Sequence, residues 1–359
     1  MPTTPEFSLV LDRLRDTDHP ISMSHLYQLS DLAGADLAAL ERVWSQLPVE
    51  RRRNILADLS EIGEANFEVT FESVFRLGLE DDDAEARATA IRALWESEDA
   101  TLIAPLIQFL AADPDLQVRA AAASALGRFI YLGEVEELPA PQARRVEEAL
   151  LAVIGGADAL EVRRRALEAV AYASRPEVAP LIEAAYTSAE PLLRISAVFA
   201  MGRTAEAQWA PRVLAELKSP EPEMRYEAVR AAGELELRDA AGDLARLLND
   251  PDTQVREAAI WSLGQIGGDF ARKTLKQLRR RVSDEDEQDF IDEAIENLAF
   301  SDEVRAFSLG SADLLPEDAD GLLPGLLALD DDDDDDVDED DLDDFDAGLD
   351  DEDEDDDPA

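Results

Sequence analysis

The chain has 359 residues, and its 83 acidic and 33 basic residues give a formal net charge of −50. Hydrophobic residues make up 46% of the sequence, enough for a sizeable core, and the absence of cysteine excludes disulfides, thiolate metal sites and cysteine nucleophiles. The electrostatic field of this negative charge repels nucleic acid, and we therefore expect no direct nucleic-acid partner. A basic protein partner is compatible with the same field.

Residues 1–80 are predicted to be helical but lack a regular repeat. Apolar periodicity predicts helices over 36–47, 48–61 and 67–79. We expect this region to be a divergent N-terminal cap, because the terminal units of a repeat protein must present a polar outer face.

From residue 81 to residue 299 the sequence repeats with a period of about 31 residues. Each unit has an apolar residue followed by Arg near the start of its second helix, with Ala four residues later and often Gly nine residues later. The lead pairs are Ala86-Arg87, Val118-Arg119, Val162-Arg163, Leu193-Arg194, Met224-Arg225 and Val255-Arg256. This spacing puts small residues on one helix face, where a neighbouring helix can approach closely.

The start of each second helix also recurs. Asp113-Pro114, Ser219-Pro220 and Asp250-Pro251 are predicted to be an N-cap followed by Pro at the first helical position. An acid two residues later then precedes the repeated Arg by four positions, which favours a weak pair within the helix. The repeated arginines themselves are expected to bond to acids of their own or the adjacent repeat, not to bind an anion.

The pattern Asp-Pro-x-x-x-Val-Arg-x-x-Ala-Ala-x-x-Leu-Gly, nearly complete in 113–127 and 250–264, resembles HEAT repeats, in particular those of the phycobilisome-lyase type. The resemblance implies an all-α fold, an α-solenoid in which HEAT-type helix pairs form a right-handed superhelix. The family consists mostly of adaptors and scaffolds. One HEAT-like enzyme class, deoxyhypusine hydroxylase, holds two irons with His-Glu dipeptides, and this sequence contains none.

Two segments depart from the repeat. The step from Val118 to Val162 contains about 13 extra residues, which we expect to form an insertion loop at about 131–141. Residues 300–359 lose the periodicity, become Asp-rich and are predicted to be a disordered tail, because they cannot bury enough apolar surface to fold. The apolar stretch 322–329 within it is a candidate docking motif, or a candidate ligand for the solenoid's own groove.

The candidate partner-binding residues lie on the second helices, two, six and ten positions after the lead residue, where the repeat leaves side chains out of the core. They are Tyr172, Ile195, Phe199, Arg203, Tyr226, Arg230 and Trp261. Aromatic and Arg side chains on neighbouring repeats are typical of binding hot spots. The alternative is that Phe199 and Trp261 fill gaps between helices.

The sequence therefore predicts a non-catalytic scaffold that binds another protein, with no catalytic residue, metal or cofactor. It has no P-loop, GxGxxG or GxSxG motif, and His19 and His25 do not have the spacing of helical metal ligands. No signal peptide or membrane-spanning stretch is recognised, so no membrane contact and a cytoplasmic location are expected. Two other classes stay open: a lyase-like enzyme or enzyme accessory, and an acidic-tail chaperone or nucleic-acid mimic for basic proteins. No motif specifies the partner's identity or the oligomeric state.

Overall fold

A computed structural model describes the backbone of residues 5–311 and the side chains of residues 6–300, a range in which helices are joined by turns and no strand occurs. The predicted tail beyond residue 311, with its apolar stretch 322–329, lies outside the described residues. Within the described range, no helix has the length and apolarity that crossing a bilayer requires.

The N-terminal region contains more helix than the sequence predicts. Its helices are α1 (Pro5–Arg15), α2 (Met23–Tyr27), α3 (Gly34–Trp44), α4 (Val49–Ala65) and α5 (Glu72–Leu79). The last three correspond to the predicted helices, with their ends displaced by a few residues. The first helix was missed, although Val10 and Leu14 are fully buried at the four-residue spacing of a helical face.

The remaining helices form a regular series of pairs. They are α6 (Ala84–Ala93), α7 (Ile103–Ala112), α8 (Leu116–Glu134), α9 (Ala140–Ile154), α10 (Leu160–Val170), α11 (Val178–Tyr186), α12 (Pro191–Arg203), α13 (Ala210–Glu216), α14 (Pro222–Glu234), α15 (Ala241–Leu247), α16 (Thr253–Ile266), α17 (Asp269–Arg281) and α18 (Glu285–Ser311). From α4 to α16 each even-numbered helix packs beside the next even-numbered one, and from α5 to α15 each odd-numbered helix packs on the helix that follows it. The even-numbered helices from α4 onward are the second helices of the pairs.

Small residues set the spacing between second helices. The six repeated alanines, from Ala90 to Ala259, are completely buried, which confirms the predicted core face. The repeated glycines lie at the closest approaches: a Cβ at Gly202 would lie 2.9 Å from the Cα of Ala231, and one at Gly264 would lie 2.8 Å from the carbonyl oxygen of Ala294. Close packing is therefore their role.

The predicted N-caps are displaced by two residues. Asp115, not Asp113, precedes α8, and its side chain accepts hydrogen bonds from the backbone N–H groups of Gln117 and Val118. Asp252 caps α16 in the same way, and α14 begins after Glu221 instead of Ser219. The prediction of Pro at the first helical position is wrong for the same reason. The Asp113 carboxylate instead accepts the Asp115 N–H, which fixes a turn before the helix begins.

Asp113 and Asp250, which were predicted to be N-caps, are instead partners of the repeated arginines. Arg87 Nε and Nη2 lie 2.9 and 3.0 Å from the two carboxylate oxygens of Asp113 in the next repeat. Arg225 and Asp250 form the same bidentate pair, at 2.8 Å for both bonds. These Arg–Asp pairs, hereafter the ladder, confirm the structural role predicted for Arg87, Arg119 and Arg225. The predicted pairs within one helix, between an acid and the repeated Arg four residues later, are not formed by Asp83, Asp115 and Asp252, because these side chains cap their helices.

The ladder extends beyond the predicted repeats at one end and has a gap in the middle. Arg52 on α4 pairs with Asp81, and both side chains are almost completely buried. The boundary at residue 80 stays a prediction, but this pair repeats the geometry of the later units. In the middle, Arg163 reaches only the carbonyl oxygen of Ile154. Arg194 lies no closer than 3.7 Å to Glu216.

The predicted loop at about 131–141 is shorter than expected, because only residues 135–139 lie outside the helices. Helix α8 continues to Glu134 and α9 begins at Ala140, so the extra residues lengthen both helices. Burial accounts for the longer α8, since Leu132 within it is almost completely buried, and Leu138 in the turn is buried as well. Gly133 does not end the helix there; a Cβ on it would lie 2.6 Å from the Cβ of Ala143.

The last helix continues past the predicted boundary at residue 300. Helix α18 ends at Ser311, and Ile291, Ala294 and Leu298 form its buried face.

Candidate functional site: an aromatic and arginine band on the second helices

Side chains two, six and ten positions after each lead residue form three rows across α10, α12, α14 and α16. The first row is Arg164, Ile195, Tyr226 and Glu257; the second is Glu168, Phe199, Arg230 and Trp261; the third is Tyr172, Arg203, Glu234 and Gln265. None of these side chains is fully buried. All seven predicted partner-binding residues are half-buried members of these rows.

The first aromatic cluster surrounds Arg203. Its guanidinium carbon lies 5.0 Å from the ring centroid of Phe199 and 5.5 Å from that of Tyr172. Tyr172 also makes an edge-to-face contact with Tyr131 at the end of α8, with centroids 6.1 Å apart. Cation–π and edge-to-face contacts of this kind hold the rings in fixed orientations.

The second cluster surrounds Arg230. Its guanidinium carbon lies 6.0 Å from the ring centroid of Tyr226 and 5.9 Å from that of Trp261. Trp261 also packs on α14, where a Cβ at Gly233 would lie 2.7 Å from its ring. One edge of Trp261 therefore fills a gap between helices, while the residue as a whole stays half-buried.

Glu234 joins the two clusters. One of its carboxylate oxygens lies 3.2 Å from Arg203 and 3.4 Å from Arg230. Burial raises the pKa of Glu234, against the opposing effect of the two arginines. The continuous surface made by the two clusters, hereafter the band, consists of Tyr131, Tyr172, Phe199, Arg203, Tyr226, Arg230, Glu234 and Trp261.

The structure brings six of the seven predicted residues into the band, and the seventh, Ile195, lies beside it. Sequence reasoning missed Tyr131, because it placed that residue in a loop. It also missed Glu234, which has the same position in its repeat as Tyr172 and Arg203 and was open to the same inference. Whether the predicted residues bind a partner stays a prediction.

Beside the band lies a cleft of about 370 Å³, hereafter the Glu227 cleft. It is lined by Arg164, Arg165, Glu168, Leu192, Ile195, Phe199, Pro222, Glu223, Tyr226, Glu227, Asp252 and Gln254. Oε2 of Glu227 is buried and has no hydrogen-bond partner among the described residues. Burial raises the pKa of Glu227 to about 7. Glu227 stands three positions after its lead residue, where the flanking repeats have Ser196 and Ala258. The charged residue type at this position is a signal from which Glu227 could have been found in the sequence.

The arginines of this cleft are already engaged by other side chains. Arg164 donates to the Ser196 hydroxyl at 3.0 Å and to Glu161 at 3.0 Å. Arg165 donates to Glu161 at 2.9 Å and to Glu168 at 2.7 Å. Neither bonds to Glu227.

Two other clefts border apolar side chains. One of about 270 Å³ lies between Tyr226, Trp261 and Phe290, so Tyr226 separates it from the Glu227 cleft. Another, of about 580 Å³, lies between α4, α5 and α6, beside the exposed Phe67 and Trp95.

No group of three His, Asp or Glu side chains in the described part of the chain is arranged to hold a metal ion.

The stacked helix pairs and the side-chain rows across them define an α-solenoid repeat protein. The family described as HEAT repeats matches residues 73–140 and 210–299. The repeats at residues 73–140 and 210–299 are therefore HEAT repeats, as the repeat pattern indicates.

Several solved structures are similar to this chain. The Escherichia coli protein YibA is 15% identical, over 83% of this chain and 98% of its own, with a TM-score of 0.39. The CpcE–CpcF complex of phycocyanin lyase from Nostoc is 19% identical, over 63% of this chain and 94% of its own, with a TM-score of 0.42. Human deoxyhypusine hydroxylase is 20% identical, over 73% and 96%, with a TM-score of 0.33. No curated protein matches the sequence.

Proposed function

We propose that this chain is a non-catalytic scaffold that binds a partner protein on the face formed by its second helices. The observation that carries the proposal is the band, in which aromatic and Arg side chains of successive repeats are stacked on one another but remain partly exposed. Pre-oriented aromatic and Arg side chains lose little conformational freedom on binding, which is why they dominate binding energy at protein interfaces.

The band continues onto apolar side chains that face solvent. Leu192 is 47% exposed and lines the Glu227 cleft, and Tyr131 is 41% exposed at the other end of the band. Adjoining apolar side chains held in water favour a protein ligand that covers them.

The proposal is tested by comparing Tyr226→Ala and Trp261→Ala with the control Trp95→Ala. Trp95 is exposed in the turn that follows α6, outside the band, so Trp95→Ala removes a large aromatic side chain without changing the proposed surface. Each protein is immobilised and used to capture binding proteins from native cell extract, and its folding is checked by thermal melting with far-UV circular dichroism.

We expect a protein that is captured by the native chain and by Trp95→Ala, but about tenfold or more less tightly by the two band variants. A captured protein that all three variants retain contradicts the proposal. Normal capture by Tyr226→Ala and Trp261→Ala together with early unfolding of both would show that these aromatics belong to the core. Deletion of residues 330–359 distinguishes the acidic-tail class, since a partner of the band is retained and a partner of the tail is lost.

A further inference from the structure

The charge balance of the Glu227 cleft favours a cationic occupant. Its lining contains four carboxylates, Glu168, Glu223, Glu227 and Asp252, against two arginines. Both arginines are held by carboxylates of α10, and Asp252 is occupied by its cap. Glu227 therefore retains acceptor capacity that the described residues do not use.

A buried acceptor without a donor is unfavourable, and in native proteins it calls for a specific explanation. The two arginines whose charges act on Glu227 do not supply the donor. Arg203 and Arg230 both form ion pairs with Glu234 and lie over the rings of the band. Because Glu227 lines the cleft, a donor from outside the chain can approach its carboxylate from that side.

The walls of the cleft fit a long basic side chain. Leu192, Ile195 and Phe199 provide apolar surface for an aliphatic stem. Tyr226 and Phe199 add aromatic rings beside which a positive charge is favourable. A partner residue can therefore pass its methylenes along α12 and place its charged end at Glu227.

We propose that the Glu227 cleft binds a Lys or Arg side chain of the partner protein, with the Glu227 carboxylate accepting its hydrogen bond. This inference rests on the proposed function and specifies the partner as one that presents a basic residue flanked by apolar ones. The charged groups that act on Glu227 are Glu168 from α10, Arg203 from α12, and Arg230 and Glu234 from α14 itself.

The probe is the tripeptide acetyl-Leu-Arg-Leu-amide, and its control is the same peptide with citrulline in place of Arg. Citrulline has nearly the shape of Arg but no charge. Affinities of the full chain for both peptides are measured by isothermal titration calorimetry, or by ligand-observed NMR where they are weak. Glu227→Gln removes the acceptor charge, and the matched control Glu223→Gln removes one charge from the same cleft, one turn earlier.

For the native chain at pH 8 we expect the Arg peptide to bind about tenfold or more tighter than the citrulline peptide. Glu227→Gln should reduce that ratio by about tenfold, whereas Glu223→Gln should leave it within about twofold of the native value. Equal losses in both variants would mean that the general negative field attracts the peptide, and would overturn the proposal. An unchanged ratio in Glu227→Gln would overturn it as well.

A second measurement needs no variant. Because burial raises the pKa of Glu227 to about 7, the carboxylate is mostly protonated at pH 6 and mostly ionised at pH 8. The native chain's affinity for the Arg peptide should rise about tenfold over this range, while its affinity for the citrulline peptide stays constant. An affinity for the Arg peptide that does not change with pH contradicts the proposal.

Different experimental results would refute the two proposals. If Glu227→Gln leaves the peptide ratio unchanged while Tyr226→Ala still loses the captured protein, only the cation pocket is refuted. If Tyr226→Ala and Trp261→Ala capture the protein normally, the proposed function is refuted by its own measurement.

Discussion

The glycine at the end of α12 is the sharpest test of how closely the second helices pack. In Gly202→Ala the new Cβ would lie 2.9 Å from the Cα of Ala231, well inside the separation of about 3.5–4.0 Å that two carbon atoms prefer. The neighbour is backbone, so α14 as a whole must move away. The Cβ would also approach the Glu234 carboxylate, but that side chain can turn aside.

The expected change combines two opposing effects. Overpacking at a helix interface costs about 1–3 kcal/mol. Replacing Gly by Ala within a helix contributes about 1 kcal/mol in the opposite direction. Gly202→Ala should therefore lower the free energy of unfolding by up to about 2 kcal/mol. Gly127→Ala, whose Cβ would lie 3.3 Å from the Cα of Ala169, should be close to neutral.

Gly242 is the matched control, because it lies in α15 and a Cβ there would meet nothing within 4 Å. Gly242→Ala should raise stability by about 0.4–1 kcal/mol. Urea unfolding followed by far-UV circular dichroism ranks the variants. If Gly202→Ala raises the unfolding midpoint as Gly242→Ala does, the packing of α12 on α14 differs from that described.

Three further predictions concern the core, the ladder and Glu227. Ala197→Leu or Ala228→Leu should each cost about 1–3 kcal/mol of stability, and melting temperatures equal to the native value would show that the buried face is misassigned. Arg225→Gln and Asp250→Asn should show a coupling energy of about 0.5–3 kcal/mol in a double-mutant cycle of urea unfolding, and additive effects would show that this pair does not stabilise the solenoid. Burial raises the pKa of Glu227 to about 7, so between about pH 4 and pH 7 the folded chain holds a proton that the unfolded chain has released. The free energy of unfolding therefore falls as the pH rises through that window. Glu227→Gln should therefore melt higher than the native chain at pH 8, with the difference closing near pH 4; a lower melting temperature at pH 8 would contradict this.

The repeat made most of the fold predictable. The spacing of lead residues, alanines and glycines identified the second helices and their buried face, because these positions are determined by contacts with the adjacent repeat. The N-caps were misplaced because Asp113 and Asp250 have the residue type of a cap. Their carboxylates are instead bonded to arginines of the preceding repeat, and a pairing between repeats is invisible in the local sequence. The insertion was predicted to be a loop because it contains Gly133 and two prolines. The apolar residues Leu132 and Leu138 were given less weight.

The candidate site was only partly predictable. The row positions follow from helical periodicity, so the half-buried aromatic and Arg side chains could be found from the sequence alone. The stacking of Arg203 on Tyr172 and Phe199 depends on rotamers and on the distance between helices. The unpartnered carboxylate of Glu227 depends on where neighbouring arginines find other acceptors. Neither follows from spacing.

The gap in the ladder means that neighbouring repeats are not all joined in the same way. Bidentate ion pairs join α6 to the turn before α8, α8 to the turn before α10, and α14 to the turn before α16, but no such pair joins α10 to the turn before α12 or α12 to the turn before α14. Helices α10 and α12 also pack less extensively on each other than α8 does on α10. At the first of these two junctions, Arg164 of α10 instead donates a hydrogen bond to the Ser196 hydroxyl of α12. The Glu227 cleft is lined by α10, α12, α14 and α16, so an occupant would contact the repeats on both sides of each missing pair.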